Sequence, residues 1–143
     1  MSKVQDAVSA FESGFNCSRA IVRTYGPDYG LSVLDAIRVS CGFGGGMRRG
    51  DVCGAVTGAL MVLGLRFGAQ DGSDTSAKAG VYSKLAEFYC QFESRCDSVA
   101  CRDLLGCDIS TPEGMEQATS NNLFKTVCPK MVQAAAEILE DMC

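Results

Sequence analysis

Nine cysteines are scattered through 143 residues, no two of them spaced as C-x-x-C, and the chain has no histidine. Thioredoxin-type motifs, zinc ribbons, bacterial ferredoxin runs and C-x-x-C-H haem attachment all depend on close cysteine pairs, so these frameworks fail on spacing. The odd count does not suit a fully paired secreted scaffold. The absence of histidine removes Ser-His-Asp triads, Cys-His pairs, histidine zinc ligands and histidine-ligated haem. With no short staple to fold around, the chain has to bury an apolar core of its own. Its length allows that: about 68–70% of the unfolded surface is buried in a domain of this size. Apolar residues make up 47% and charged residues 21%, and a single domain over residues 1–143 is expected.

The net charge of −4 and the lack of a basic stripe argue against nucleic-acid binding. Lys3 and Asp6 interrupt the N-terminus before an apolar leader segment forms. The longest uncharged stretch, Val52 to Leu65, is too short to span a bilayer and carries glycines. A cytoplasmic location without membrane insertion is therefore expected, where thiols stay mostly reduced. At this density cysteines in such a compartment point to redox chemistry or metal binding, although free cysteine also serves as a small core residue.

The hydrophobic periodicity is helical nearly throughout. Val4, Ala7, Val8 and Phe11 mark a first helix. Asn16 offers an N-cap for a second, which Gly26-Pro27 stops. Leu31, Val33, Leu34 and Ile37 mark a third. Gly42 to Gly50 reads as a loop. Asp51 reads as the cap of a helix carrying Val56, Leu60, Leu63 and Phe67, on which Gly54 and Gly58 leave a smooth face for close helix packing or for pairing with a second copy of the chain. After a loop from Gly68 to Asp74, the stripe Val81, Leu85, Phe88, Phe92 and Cys96 marks the most regular helix. Ser98 reads as the cap of a turn containing Cys101 and ending at Gly106. Ser110-Thr111-Pro112 starts another helix, and Cys128-Pro129 the last. The fold class is all-α, a single-domain bundle of seven or eight helices with a glycine-rich loop before the central one.

On this reading the cysteines divide into two groups. Cys17, Cys53, Cys101 and Cys128 all fall in the first turn of a helix, where free N–H groups and the positive dipole end favour a thiolate. Cys41, Cys90, Cys96, Cys107 and Cys143 do not. One helix terminus contributes about 0.3–1 kcal/mol, less than the ~1.4 kcal/mol of one pKa unit. Strong activation therefore needs several termini, a nearby arginine or a metal. Arg19, Arg48, Arg49 and Arg102 lie near three of the four in sequence, although exposed arginines are commonly solvated surface charges.

The same residues carry a resemblance. Cys53-Gly54-Ala55-Val56-Thr57-Gly58 resembles the C-G-A-x-x-G element of the redox-active C_GCAxxG_C_C family. Gly14-Phe15-Asn16-Cys17 is similar to its N-terminal cysteine segment, Cys41 to Met47 to its glycine-rich stretch, and Cys101 to Gly106 and Cys128-Pro129 to its downstream cysteines. The resemblance implies redox activity, with Cys17, Cys53, Cys101 and Cys128 as the family cysteines and Cys41 accompanying them. Cys90, Cys96, Cys107 and Cys143 are additions. Cys53 is expected to be central, with Cys101 and Cys128 as its first partners and then Cys17.

Three functions compete. In thiol–disulfide chemistry, as in a thiol-disulfide oxidoreductase, one first-turn cysteine attacks and a second resolves, with a partner protein or small thiol exchanging electrons. Alternatively, the four thiolates of Cys17, Cys53, Cys101 and Cys128 hold zinc or an iron–sulfur cluster, with backbone N–H groups around Cys41 and Gly54 reaching the cluster. A non-redox module would hold an anion with Arg48 and Arg49 before a helix N-terminus. The Gly42–Gly50 segment is not a phosphate-binding P-loop, since no Gly-Lys-Ser/Thr follows. A hydrolase is disfavoured, because no paired-carboxylate motif replaces the absent histidine.

Overall fold

Short polar residues set most of the helix starts, as the sequence suggests. In the computed structural model, which describes residues 2–68 and 70–143, Ser2 and Gln5 exchange side-chain and backbone hydrogen bonds at 3.2 Å. This capping box opens α1, Lys3–Glu12. Asn16 Oδ1 accepts the Arg19 N–H at 3.0 Å and opens α2, Cys17–Tyr25. Ser32 caps α3, Val33–Val39. The central helix α4 is Gly54–Phe67. Asp74 caps α5, Thr75–Cys96, by accepting the Ala77 N–H at 3.0 Å. The five-residue α6, Cys101–Leu105, ends at Gly106 in the left-handed region. Thr111 caps α7, Pro112–Ser120, with proline at its first position. A four-residue turn, α8, Leu123–Thr126, leads into α9, Cys128–Met142. Eight helices of five residues or more, plus α8, make up an all-α fold among the described residues.

Two hydrophobic cores share the interior. The larger is built from α1, α2, α4, α5 and α9 and buries Ala7, Ile21, Val56, Leu63, Phe88, Phe92, Val132, Ile138 and Leu139 completely. The smaller buries Leu105, Ile109 and Ala118 from the α6–α7 region. The smooth face of α4 is used inside the chain. A Cβ on Gly58 would lie 2.9 Å from the Ser18 carbonyl oxygen, and one on Gly54 would lie 3.0 Å from the Cys17 Cβ and 3.0 Å from Gly44 Cα. Helix α2 therefore approaches α4 more closely than any side chain at those positions permits.

Several boundaries differ from the sequence expectation. Asp51 does not cap α4; its carboxylate pairs with Arg102 at 2.9 Å, and Cys53 stands at the cap position. Ser98 does not cap α6; its hydroxyl accepts the Ala100 N–H and donates to Asp103, and Ala100 is the cap. Cys128 is the first residue of α9, behind Val127 at the cap. For Asp51 and Ser98 a neighbouring backbone or side chain claims the expected capping group. The glycine-rich segment is folded into turns rather than an open loop. Gly45, Gly46, Met47 and Arg48 are all left-handed, with φ between 59° and 64°, and the Asp51 N–H closes the turn onto the Gly46 carbonyl at 3.1 Å. Met1, in the segment read for a leader, and Ala69, in the expected Gly68–Asp74 loop, lie outside the described residues. No helix among the described residues is long and apolar enough to cross a membrane.

Candidate functional site

The start of α4 and the start of α6 are held side by side by a two-residue antiparallel bridge. Val52 faces Ala100, the Cys53 N–H donates to the Val99 carbonyl at 2.7 Å, and the Cys101 N–H donates to the Asp51 carbonyl at 2.6 Å. Arg102 reinforces this join through Asp51 and the Gly50 carbonyl. Alternation along extended backbone puts residues one to either side of a bridged pair on the same face, so Cys53 and Cys101 project together. Cys17 begins α2 and reaches Cys53 because Gly54 and Gly44 let the backbones touch. Gly44 itself abuts the Asn16 side chain, whose amide is fixed by the Cys41 carbonyl at 3.0 Å. Cys128 begins α9.

The four first-turn cysteines meet where the two cores join. Cys17 and Cys53 belong to the larger core and Cys101 to the smaller, while Cys128 packs against both. All four line one cavity of about 560 Å³, together with Gly54. Its walls are largely apolar, with Phe11, Phe15, Leu104, Leu105, Ile109, Met115, Phe124 and Met131 among them. The remaining cysteines stand outside that cavity. Cys41 and Cys90 are exposed, as is Cys143, and Cys96 and Cys107 are partly buried. No cysteine is in a disulfide.

The thiols differ in proton affinity, for identifiable reasons. Cys53 is held below the ordinary thiol value. The Cys17 thiol directed at its sulfur is the largest cause, and the backbone amides of Ala55 and Val56 at the start of α4 assist against the opposing effect of burial. Cys17 is pushed well above the ordinary value, because its proton is held by contact with Cys128 and Cys53 and because it is buried. Burial, then the charges of neighbouring thiolates and Asp108, push Cys101 up to about 12. The two thiols are thus shifted in opposite directions, Cys53 towards the anion and Cys17 towards the protonated form.

The sequence of this site is characteristic. Residues 15–142 match the family described as "Putative redox-active protein (C_GCAxxG_C_C)". The chain belongs to this family. No curated protein and no solved structure matches it. In this C_GCAxxG_C_C protein Cys17, placed after Cys101 and Cys128 among the expected partners of Cys53, has its proton held by both Cys128 and Cys53. Cys41 contributes its carbonyl to Asn16 while its side chain is exposed. Of the two arginines singled out before α4, Arg48 lines the cavity and Arg49 does not. Lys125 was not singled out by sequence; it reaches the cavity from α8, whose four residues show no periodic signal. Among the described residues no three cysteine, aspartate or glutamate side chains are set to share a metal ion.

Proposed function

We propose that this protein performs thiol–disulfide exchange, with Cys53 as the attacking thiolate and Cys17 as the resolving thiol. The convergence of Cys17 and Cys53 on one cavity, through the close approach of α2 to α4 at Gly54, carries the reading; beside Cys17 the Cys53 thiol is held below its ordinary value. In the first step the Cys53 thiolate attacks one sulfur of a substrate disulfide, forming a mixed disulfide and expelling the other sulfur as a thiolate. That thiolate takes the Cys17 proton. Cys17 then attacks Cys53 Sγ, forming the Cys17–Cys53 disulfide and releasing the second thiolate, which is protonated by solvent. The protein dithiol is oxidised by two electrons and the substrate disulfide is reduced to two thiols. Cys128, in contact with Cys17, and Cys101, beside Cys53, are the supporting thiols of the same cavity.

The test is a thiol count and peptide mass map of the protein before and after a stoichiometric disulfide oxidant. The expected result is the loss of two thiols, recovered as a Cys17–Cys53 linked peptide, and a trapped mixed disulfide on Cys53 in Cys17→Ala. An unchanged thiol count sinks the proposal. So does visible charge-transfer absorption with stoichiometric iron after anaerobic purification, which would assign the four thiolates to an iron–sulfur cluster instead.

A further inference from the structure

The cavity beside the cysteines has a charge pattern that thiol exchange alone does not need. Its walls are apolar, its volume of about 560 Å³ lies in the range of small-molecule sites, and its mouth is cationic in a chain of net charge −4. Arg48 and Lys125 line it and are exposed, and neither joins an ion pair among the described residues. Arg48 is brought there by a backbone that L-residues rarely adopt, φ 62° following Met47 at φ 59°, and its side chain lies over Gly45. Behind the cavity wall, the Arg19 and Arg23 guanidinium groups stack on Phe15 at 5.7 and 5.2 Å. Glu12 is the one carboxylate among the lining residues. Three helices of nine or more residues, α2, α4 and α9, also begin at this cavity, adding their positive ends.

We propose that the cavity binds a small apolar anion, an alkyl or aryl carboxylate whose hydrocarbon body lies against Phe15, Ile109 and Phe124 and whose charge is held at the mouth by Arg48 and Lys125. Resting on the thiol-exchange reading, this makes the substrate class a small hydrophobic disulfide bearing a carboxylate. Cationic and hydrophilic peptide disulfides fit the walls poorly, since their polar groups would be buried without partners.

Two measurements separate this inference from the reading beneath it. The first is binding to the reduced protein of octanoate and of octylamine, neither of which exchanges thiols. Octanoate should bind saturably and raise the melting temperature, octylamine should not, and the double variant Arg48→Gln/Lys125→Gln should weaken octanoate at least fivefold. Equal binding of the two amphiphiles, no octanoate binding, or octanoate binding indifferent to the double variant overturns the proposal. The second measures the rate of modification at Cys53, read by peptide mass spectrometry, with 5,5′-dithiobis(2-nitrobenzoate) and with neutral 4,4′-dithiodipyridine. The double variant should slow the dicarboxylate about tenfold and the neutral reagent less than twofold; equal slowing of both overturns the charge argument. Octanoate binding as expected with no exchange at Cys53 supports the ligand class and removes the thiol-exchange reading alone.

Discussion

At the scale of single residues, the proposed chemistry turns on two thiols whose proton affinities are shifted in opposite directions. A helix terminus by itself contributes less than one pKa unit to a thiolate, so the α4 amides alone leave Cys53 close to an ordinary thiol. The Cys17 contact is the larger effect, and it operates in a place from which water is largely excluded, where an unpartnered thiolate would be costly. The consequence is measurable as a pH profile. The alkylation rate of Cys53 should rise with pH and reach half its plateau below the ordinary thiol value of 9.0. In Cys17→Ala the midpoint should move up, because the largest cause of the lowered value is removed. Site-resolved mass spectrometry after iodoacetamide pulses from pH 6 to 10 checks both. A midpoint unmoved by Cys17→Ala would show that the α4 amides, not the neighbouring thiol, set the reactivity of Cys53.

At the scale of elements, the arrangement depends on how closely helices begin to one another. Much of this was legible in the sequence. Asn16 acts as the cap expected of it, α7 starts where Ser110-Thr111-Pro112 placed it, Phe88 and Phe92 occupy the buried stripe of α5, and the small-residue face of α4 packs against α2. What was not legible is the two-residue bridge between Val52 and Ala100. A pairing that short has no period to detect, yet it takes Asp51 and Ser98 away from their expected capping roles and moves Cys53 and Cys101 to the very starts of α4 and α6. The smooth face of α4 makes a paired prediction. Glycine inside a helix costs roughly 1 kcal/mol relative to alanine. Gly64 has nothing within 4 Å of an added Cβ, so Gly64→Ala should stabilise the protein by up to ~1 kcal/mol. Gly58→Ala gains the same propensity but drives a methyl against the Ser18 carbonyl oxygen at 2.9 Å and Ile21 Cβ at 3.1 Å. Overpacking of this kind costs about 1–3 kcal/mol, so Gly58→Ala should be less stable than Gly64→Ala by that amount. Urea denaturation of the two variants reads the difference directly; equal effects would mean that α2 yields to α4 without strain.

At the scale of the whole molecule, the cysteines sit at the seam between the larger core and the smaller one, so their ionisation and the integrity of the fold are linked. Cys17 and Cys101 are both held above the ordinary thiol value of 9.0, Cys101 at about 12. Between pH 9 and 12 the unfolded chain has released these protons while the folded chain retains them. The unfolded state then binds fewer protons, and stability falls as pH rises. Cys53, shifted the other way, stabilises the fold above the ordinary thiol value and loses that contribution as pH falls through its own lowered value, so it adds no slope between pH 9 and 12. At about 1.36 kcal/mol per pH unit the loss from Cys101 alone has a ceiling of ~4 kcal/mol by pH 12. The melting temperature of the reduced protein should therefore hold steady to about pH 8 and fall by pH 10.5. Cys101→Ala should flatten that fall, because the group that resists ionisation is gone, while lowering stability at pH 7 through lost packing at the seam. Melting curves of both proteins at pH 7, 9 and 10.5 decide the matter. Parallel slopes would mean that Cys101 releases its proton without cost, and that the junction of the two cores opens to water at lower free energy than the cores themselves.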